Sequence, residues 1–291
     1  MTAPSLRTRG WDLRGRLFQV ALLLSLLVTL GILFALIADV IARALPVFEQ
    51  RGVGFLGAPL SSNAARAGVL QGLLGSGLLA LIVAAVAFPL GIATAIYLEE
   101  YAGTGRFARF VQINIRNLAG VPSVVYGLLG LAIFVPLLGR NALSGGATLA
   151  VLVLPIVVIT ASEALRAVPN TLREAGYGVG ASPWEVTSRL VLPAAAPGIL
   201  TGTVLALARA LGETAPLIVA GAVLGSFSGT NIAKMVTGNY TALPVVIYDW
   251  SRRPQEAFRA DAAAAIVVLL VAVLAVNAAA IVLRARFERD R

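Results

Sequence analysis

Hydrophobic and polar positions along this chain fall into long blocks, not into the short periods of a soluble helix or strand. An apolar run at 18–38 follows a basic flank of Arg7, Arg9, Arg14 and Arg16. Roughly 20 such residues cross a bilayer as a helix, so 18–42 reads as a first span behind a basic tail at 1–17. A secretory signal is the rival, and Ala42-Arg43-Ala44 resembles a cleavage site. The run, however, exceeds the roughly 7–15 residues of a signal core. Further spans are expected at about 69–98, 117–138, 147–161, 198–224 and 262–283, with a basic C-terminal tail at 284–291. In the second, Gly68, Gly72, Ser76, Ala80 and Ala84 make one small-residue face, which suits close helix packing. Pro89 is placed to kink it. Pro122 and Pro136 fall inside the third span, where freed carbonyls need neighbouring groups. The fourth is short and is expected to run on into 163–166. The charged stretch 99–116 reads as a loop. The whole is an all-α integral membrane protein of six transmembrane helices, with 68–283 as its multi-span unit.

Composition sharpens this. Of 291 residues, 58% are hydrophobic and 13% charged, and the mean hydropathy is +0.88; soluble chains carry about 25% charged residues. There is no cysteine and no histidine, which removes thiolate metal sites and the commonest acid–base group. Lys234 is the only lysine, and no Gly-x-x-x-x-Gly-Lys-[Ser/Thr] surrounds it, so this chain has no P-loop ATPase. No catalytic residue and no metal site is predicted, and the chain is not expected to be an enzyme. A net charge of +9 is compatible with nucleic acid in principle, but the arginines are spread over loops and follow topology. Six spans put both termini on one side. That side carries fourteen basic residues against eight opposite, with Arg209 inside a span. The excess marks the cytoplasm.

One polar interruption, 173–193, is written like folded structure. Ser182-Pro183-Trp184-Glu185 is a helix start: Ser182 can accept from the N–H of Glu185, whose carboxylate can reach back to the N–H of Ser182. Pro183 sits where a missing N–H costs nothing. Asn170 can cap an earlier short helix through Tyr177, and Gly178 and Gly180 permit the turn between the two. The second helix is expected to end near Pro193, which lacks a donor and disfavours helical geometry in Leu192. In the fifth span, Arg209 and Glu213 are intramembrane charges at i and i+4, able to pair. Such charges usually face a bundle interior or a wet cavity. Two readings stand: a neutralised pair that fixes packing, or an anion pathway in which Arg209 offers planar paired donors to an oxyanion and Glu213 holds it.

The spaced set Glu174-Ala175-Gly176, three residues, Gly180, nine residues, Leu190, one residue and Leu192-Pro193 resembles the EAA loop of ATP-binding-cassette (ABC) importer permeases. The one departure is Gly176, where that pattern usually has alanine. The resemblance implies a type I importer permease fold with a cytoplasmic coupling helix, seated in a groove of a separate ATPase subunit. It implies Glu174, Ala175, Gly176 and Gly180 for close seating, with Ser182 and Glu185 capping and Leu190, Leu192 and Pro193 fixing the exit. Three further stretches, 89–101, 117–127 and 209–216, are similar to phosphate-importer permeases, and 243–263 is similar to the PstA-type rather than the PstC-type subunit. The resemblance thus implies a bacterial inner-membrane subunit for inorganic phosphate import. Its partners would be a homologous PstC-type permease, an ATPase dimer binding ATP and Mg, and an external phosphate-binding protein. The chain itself would hold no cofactor. Rival expectations are a permease of the same class for molybdate, sulfate or an amino acid, and, outside the class, a proton-coupled secondary transporter using Arg209 and Glu213. A signalling or assembly protein would need a soluble domain that no loop is long enough to be.

Overall fold

The computed structural model describes residues 13–103, 105–223 and 232–289, and these are helix and connecting loop throughout. Arg7, Arg9 and Arg291 of the two basic tails, and the end of the fifth expected span, lie outside the described residues.

The elements run α1 (Leu13–Arg51), α2 (Leu70–Tyr101), α3 (Arg106–Ala119), α4 (Ser123–Leu138), α5 (Ala142–Arg166) and α6 (Asn170–Gly178). Then come α7 (Pro183–Gly212), α8 (Ala215–Val219), α9 (Ile232–Thr237), α10 (Leu243–Ser251) and α11 (Glu256–Arg289). Five of these described helices are long and apolar enough to cross a membrane, and the bent pair α3–α4 brings the number to six if it counts as one span. This is a multi-pass membrane protein.

The core is α5, packed between α2 and α7. Its buried side includes Leu149, Val153, Val157, Ala161 and Leu165. It starts earlier than apolarity alone suggested, at Ala142 and not near 147, because Asn141 supplies a cap. Asn141 Oδ1 accepts from the N–H groups of Leu143 and Ser144 at 3.0 and 3.1 Å, satisfying donors that a helix start leaves open. Where α7 crosses α5, a Cβ on Gly202 would collide with the Thr160 side chain; only glycine fits that approach. The small face of α2 meets α10, with Ser76 Oγ accepting from the N–H of Leu243 at 2.9 Å.

The expected loop at 99–116 holds a helix instead. Apolar residues at 108, 111 and 115 recur at helical spacing, and this face of α3 joins Ala95, Leu98 and Val158 in one cluster. Arg106, Arg109 and Arg116 stay outward, as do Phe107, Phe110 and Ile113. The third expected span is therefore bent by 106° between α3 and α4, at Gly120-Val121-Pro122, where proline removes a donor.

At the end of the bundle away from α6, Arg51 closes α1. It donates to Asp261 at the start of α11, and to the carbonyls of Ala64 and Ala67 at 2.9 and 2.6 Å. Its guanidinium lies 5.0 Å from the Phe55 ring centroid. Phe55, Trp250 and Phe258 continue the cluster, with successive ring centroids 6.3 and 6.1 Å apart.

Candidate functional site

The 170–193 loop folds as the short helix α6, a turn, and the first turns of α7. Val168 and Pro169 lead into α6, where Pro169, extended with ψ 137°, occupies the cap and offers no side-chain oxygen. Asn170 is therefore the first helical residue rather than the cap, and its Oδ1 accepts from Arg173 Nη1 at 3.3 Å. The turn after α6 is a Schellman motif. Ala181 N–H donates to the Gly176 carbonyl at 3.1 Å and Gly180 N–H to the Tyr177 carbonyl at 2.9 Å. It needs one left-handed residue, and Gly180 supplies it with φ +82°; Gly178 remains helical.

The capping box is complete. Glu185 N–H donates to Ser182 Oγ at 3.3 Å, and Ser182 N–H and Oγ–H donate to Glu185 Oε2 at 3.0 and 2.8 Å. Those two donors, the backbone N–H first, and the nearby Arg189 charge hold the Glu185 carboxyl below its ordinary pKa.

The second helix does not stop near Pro193. It widens into a π turn at Val186–Val191 and continues through Leu192 and Pro193 to Gly212. A wide turn already breaks the i→i−4 ladder, so the missing proline donor falls where the ladder is already out of step. The loop thus has no flexible exit.

Its two faces differ. Gly176 is turned inward, where an added Cβ would lie 2.8 Å from Leu190 Cδ1 and 2.9 Å from Val186 Cγ2. It seats the two loop helices on each other and presents nothing outward. Glu174, Ala175, Gly180, Ser182 and Pro183 face outward. So do Tyr177, Val179 and Trp184, exposed by 48%, 85% and 66%, which the spacing pattern overlooked. Three large apolar side chains on a polar loop were the available signal, since exposed apolar patches mark interaction surfaces.

The end of α2 is tied to the last residue of α5 and to the loop by Glu99 and Glu100, which sequence reading placed in an ordinary charged stretch. Arg166 donates to both Glu99 oxygens at 2.7 and 2.8 Å. Arg173 donates to both Glu100 oxygens at 2.8 and 3.3 Å. Arg173 also caps the open end of α5, donating to the carbonyls of Leu165 and Val168 at 3.0 and 2.8 Å. Hydrogen bonding to Glu100, the largest cause, raises the Arg173 pKa above its ordinary value.

The second candidate, Arg209 with Glu213, sits at a helix break. The helix α7 ends at Gly212, and Glu213 is already extended, with ψ 126°. The two are therefore not on one mid-span helix face as expected. Gly212 and Pro216 on either side end the helix at this point. They still approach, Nε to Oε1 at 3.5 Å, with Arg209 53% and Glu213 18% exposed. The break abuts the other bent span: a Cβ on Gly127 would fall 2.8 Å from Pro216 Cα, and Tyr126 Oη–H donates to the Leu118 carbonyl across the α3–α4 bend at 2.8 Å. The stretches 117–127 and 209–216, far apart in sequence, thus meet. Irregular backbone at membrane depth is tolerated where it is buried in protein or lines a wet cavity. Among the described residues no cluster of three or more metal-ligating side chains occurs.

The model of one protein family, described as "Binding-protein-dependent transport system inner membrane component", matches residues 87–291. The chain belongs to that family of membrane permeases. Among individual relatives, phosphate transport system permease protein PstA 1 of Mycobacterium tuberculosis is 38% identical over 226 residues, covering 77% of this chain and 73% of that protein. PstA of Yersinia pestis is 35% identical over 225 residues, covering 77% and 75%. The PstA-type permeases are the members it is similar to along most of its length. In solved structures, a chain of a bacterial alginate ABC transporter, in complex with an alginate-bound periplasmic protein, matches with TM-score 0.64 at 17% identity, covering 92% of this chain and 93% of that one. The inward-facing MetNI methionine ABC transporter gives TM-score 0.58 at 16% identity, covering 76% and 94%. These two likenesses show the fold: that of an ABC importer permease.

Proposed function

We propose that this chain is the PstA-type membrane subunit of an ATP-driven importer that moves inorganic phosphate into the cell. It pairs with a homologous PstC-type permease. Two copies of a separate ATPase subunit, which bind ATP and Mg, supply the energy, and an external phosphate-binding protein delivers the substrate. The observation that carries the reading is the 170–193 loop, rigid through its Schellman turn and capping box, with an apolar outer face. A loop fixed at both ends transmits a push, whereas a flexible one absorbs it. Tyr177, Val179 and Trp184 are suited to fill an apolar groove, with Glu174 and Ala175 beside them; Gly180, Ser182 and Glu185 hold the shape. Inside, Gly176 seats α6 against Val186 and Leu190 of α7, which runs on through Leu192 and Pro193. The basic excess supports a topology in which this loop, and both termini, lie on the side where ATP is found.

Phosphate as the substrate is supported by likeness to PstA relatives and by Arg209. Its guanidinium stands half exposed at the junction of two broken spans, a place where a planar pair of donors suits an oxyanion. Glu213, at 3.5 Å, is near enough to orient it and too far to bind it firmly.

The test is phosphate uptake in membrane vesicles carrying this chain with its partners, with and without ATP. Uptake should require ATP and be lost in Glu174→Lys while the protein still inserts. Uptake that persists without ATP and collapses with the proton gradient would replace this reading with a secondary transporter.

A further inference from the structure

Two carboxylates at the end of α2 stand between the loop and the rest of the bundle. Glu99 and Glu100 are consecutive residues in the π turn Tyr97–Tyr101, so their side chains leave the helix in different directions. Glu99 meets Arg166, the last residue of α5; Glu100 meets Arg173, in the first helix of the loop. Both pairs are bidentate, the geometry that fixes orientation as well as distance. They differ in burial: Glu100 and Arg173 are 5% and 17% exposed, Glu99 and Arg166 11% and 49%. Only Ala167, Val168, Pro169 and three residues of α6 separate the two arginines.

One pair alone would be a pivot, about which the loop could turn without moving α2. Two pairs from adjacent residues, to partners on either side of the 167–169 link, remove that freedom. The packing around them leaves room for displacement, because a cleft of about 230 Å³ lies beside Glu99, lined also by Gln112, Arg116, Ser162 and Glu163. Across the cleft stands α3, which leads directly into the α3–α4 bend and so to the junction with 209–216.

We propose that Glu99 and Glu100 form a two-point clamp through which movement of the 170–193 loop is passed to α2 and, through the packing of α3 on Ala95 and Leu98, to the bent span beside Arg209. They are positioning residues: they touch neither phosphate nor ATP. This inference rests on the reading of the loop as the ATPase docking site.

The test uses the assembled transporter, purified with its ATPase subunits and returned to vesicles, comparing ATP hydrolysed with phosphate imported. In Glu100→Gln the ATPase subunits should still co-purify and hydrolysis should continue, while phosphate imported per ATP falls about 10- to 100-fold, the usual range of a coupling between two sites. Glu99→Gln, whose partner is half in solvent, should show the same defect more weakly and serves if Glu100→Gln fails to fold. Glu100→Asp, which keeps a carboxylate for Arg173 and leaves its bonds to Leu165 and Val168 untouched, should retain much of the ratio. Unchanged import per ATP in the two glutamine variants, or loss of import only together with loss of the ATPase subunits, would overturn the clamp. Wild-type vesicles with no ATP-driven uptake would instead overturn the functional reading beneath it.

Discussion

The two ends of the bundle are both fastened by arginine–carboxylate pairs, yet they are built differently. At the end away from the loop, Asp261 is 2% exposed, and its partner Arg51 lies against Phe55 in a cluster with Trp250 and Phe258. Burial fixes the geometry there, and the ion pair answers for the charges that burial has trapped. At the loop end, Arg166 is half exposed, a cleft opens beside Glu99, and the outward surface carries Val179 and Trp184 without cover. The Glu100–Arg173 pair there is as buried as the far one, and Leu98, Leu165 and Val186 pack in a cluster at the same end. What differs is the half-exposed Glu99–Arg166 link and the cleft beside it. A packed end with no opening beside its ion pair resists displacement, and a packed end with a cleft and a half-exposed link beside it has room to be moved and returned.

If that contrast is right, damage at the packed end should appear as lost protein. Asp261→Ala leaves the largely buried Arg51 guanidinium with only the Ala64 and Ala67 carbonyls as acceptors, a cost near the low end of the about 3–5 kcal/mol for breaking a buried pair. Thermal unfolding in detergent and membrane abundance should both drop sharply, while uptake per surviving molecule stays unchanged. Wild-type stability with lost uptake per molecule would erase the distinction between the ends. At the loop end, two glycines divide the effect. Gly176→Val forces an isopropyl group against Leu190 and Val186, with an overpacking cost of about 1–3 kcal/mol, and should displace the helix carrying Trp184. A Cβ at Gly180 meets no atom within 4 Å, but Gly180→Val must adopt a left-handed backbone at about 1–2 kcal/mol. Gly180→Asn should be nearly silent, since asparagine tolerates that conformation. Uptake assays on the three variants check the order, and a harmful Gly180→Asn would show that space rather than backbone is limiting.

The smallest effect is a pH dependence. The Glu185 carboxyl is held below its ordinary value of 4.5 by Ser182. Its contribution to the loop is therefore complete above that value and is lost as pH falls through the lowered pKa. Hydrogen exchange at the Glu185 and Val186 amides should show protection that declines only on strong acidification, with no such decline in Glu185→Gln. Protection that instead weakened as pH rose above 4.5 would contradict the sign.

How much could be read in the sequence depends on how far apart the cooperating residues lie. The Ser182–Glu185 box and the turn at Gly180 are local, and their chemistry is complete within a few positions. The spans are local too, since each is one apolar run. Glu99 with Arg166 and Glu100 with Arg173 stand 67 and 73 residues apart, and no periodicity announces a partner at that distance. Pro193 misled because a proline rule holds for an α ladder, and the chain there adopts a wider one. Asn170 misled because Pro169 took the cap position first. The α3 helix was hidden by its arginines, which mask the apolar spacing of 108, 111 and 115. Arg209 and Glu213 were found by their cost in a membrane, but the break between them depends on Gly212 and Pro216 acting together.

The π turns at Tyr97–Tyr101, Gly130–Phe134 and Val186–Val191 can each be regarded as one residue inserted into an otherwise regular spiral. An α-helix advances about 100° and 1.5 Å per residue, so such an insertion resets the phase of every residue downstream. Beyond Val186–Val191 the affected segment is the whole of 192–212, including the glycine that admits Thr160 and the arginine at the junction of the broken spans. Closing that turn to an α turn with its residue count unchanged would swing the downstream helix by roughly a quarter of a revolution, whereas deleting one residue as it closes would leave that helix in place. The direction in which Arg209 faces is thus set by a count of residues some twenty positions earlier, as well as by the contacts around it.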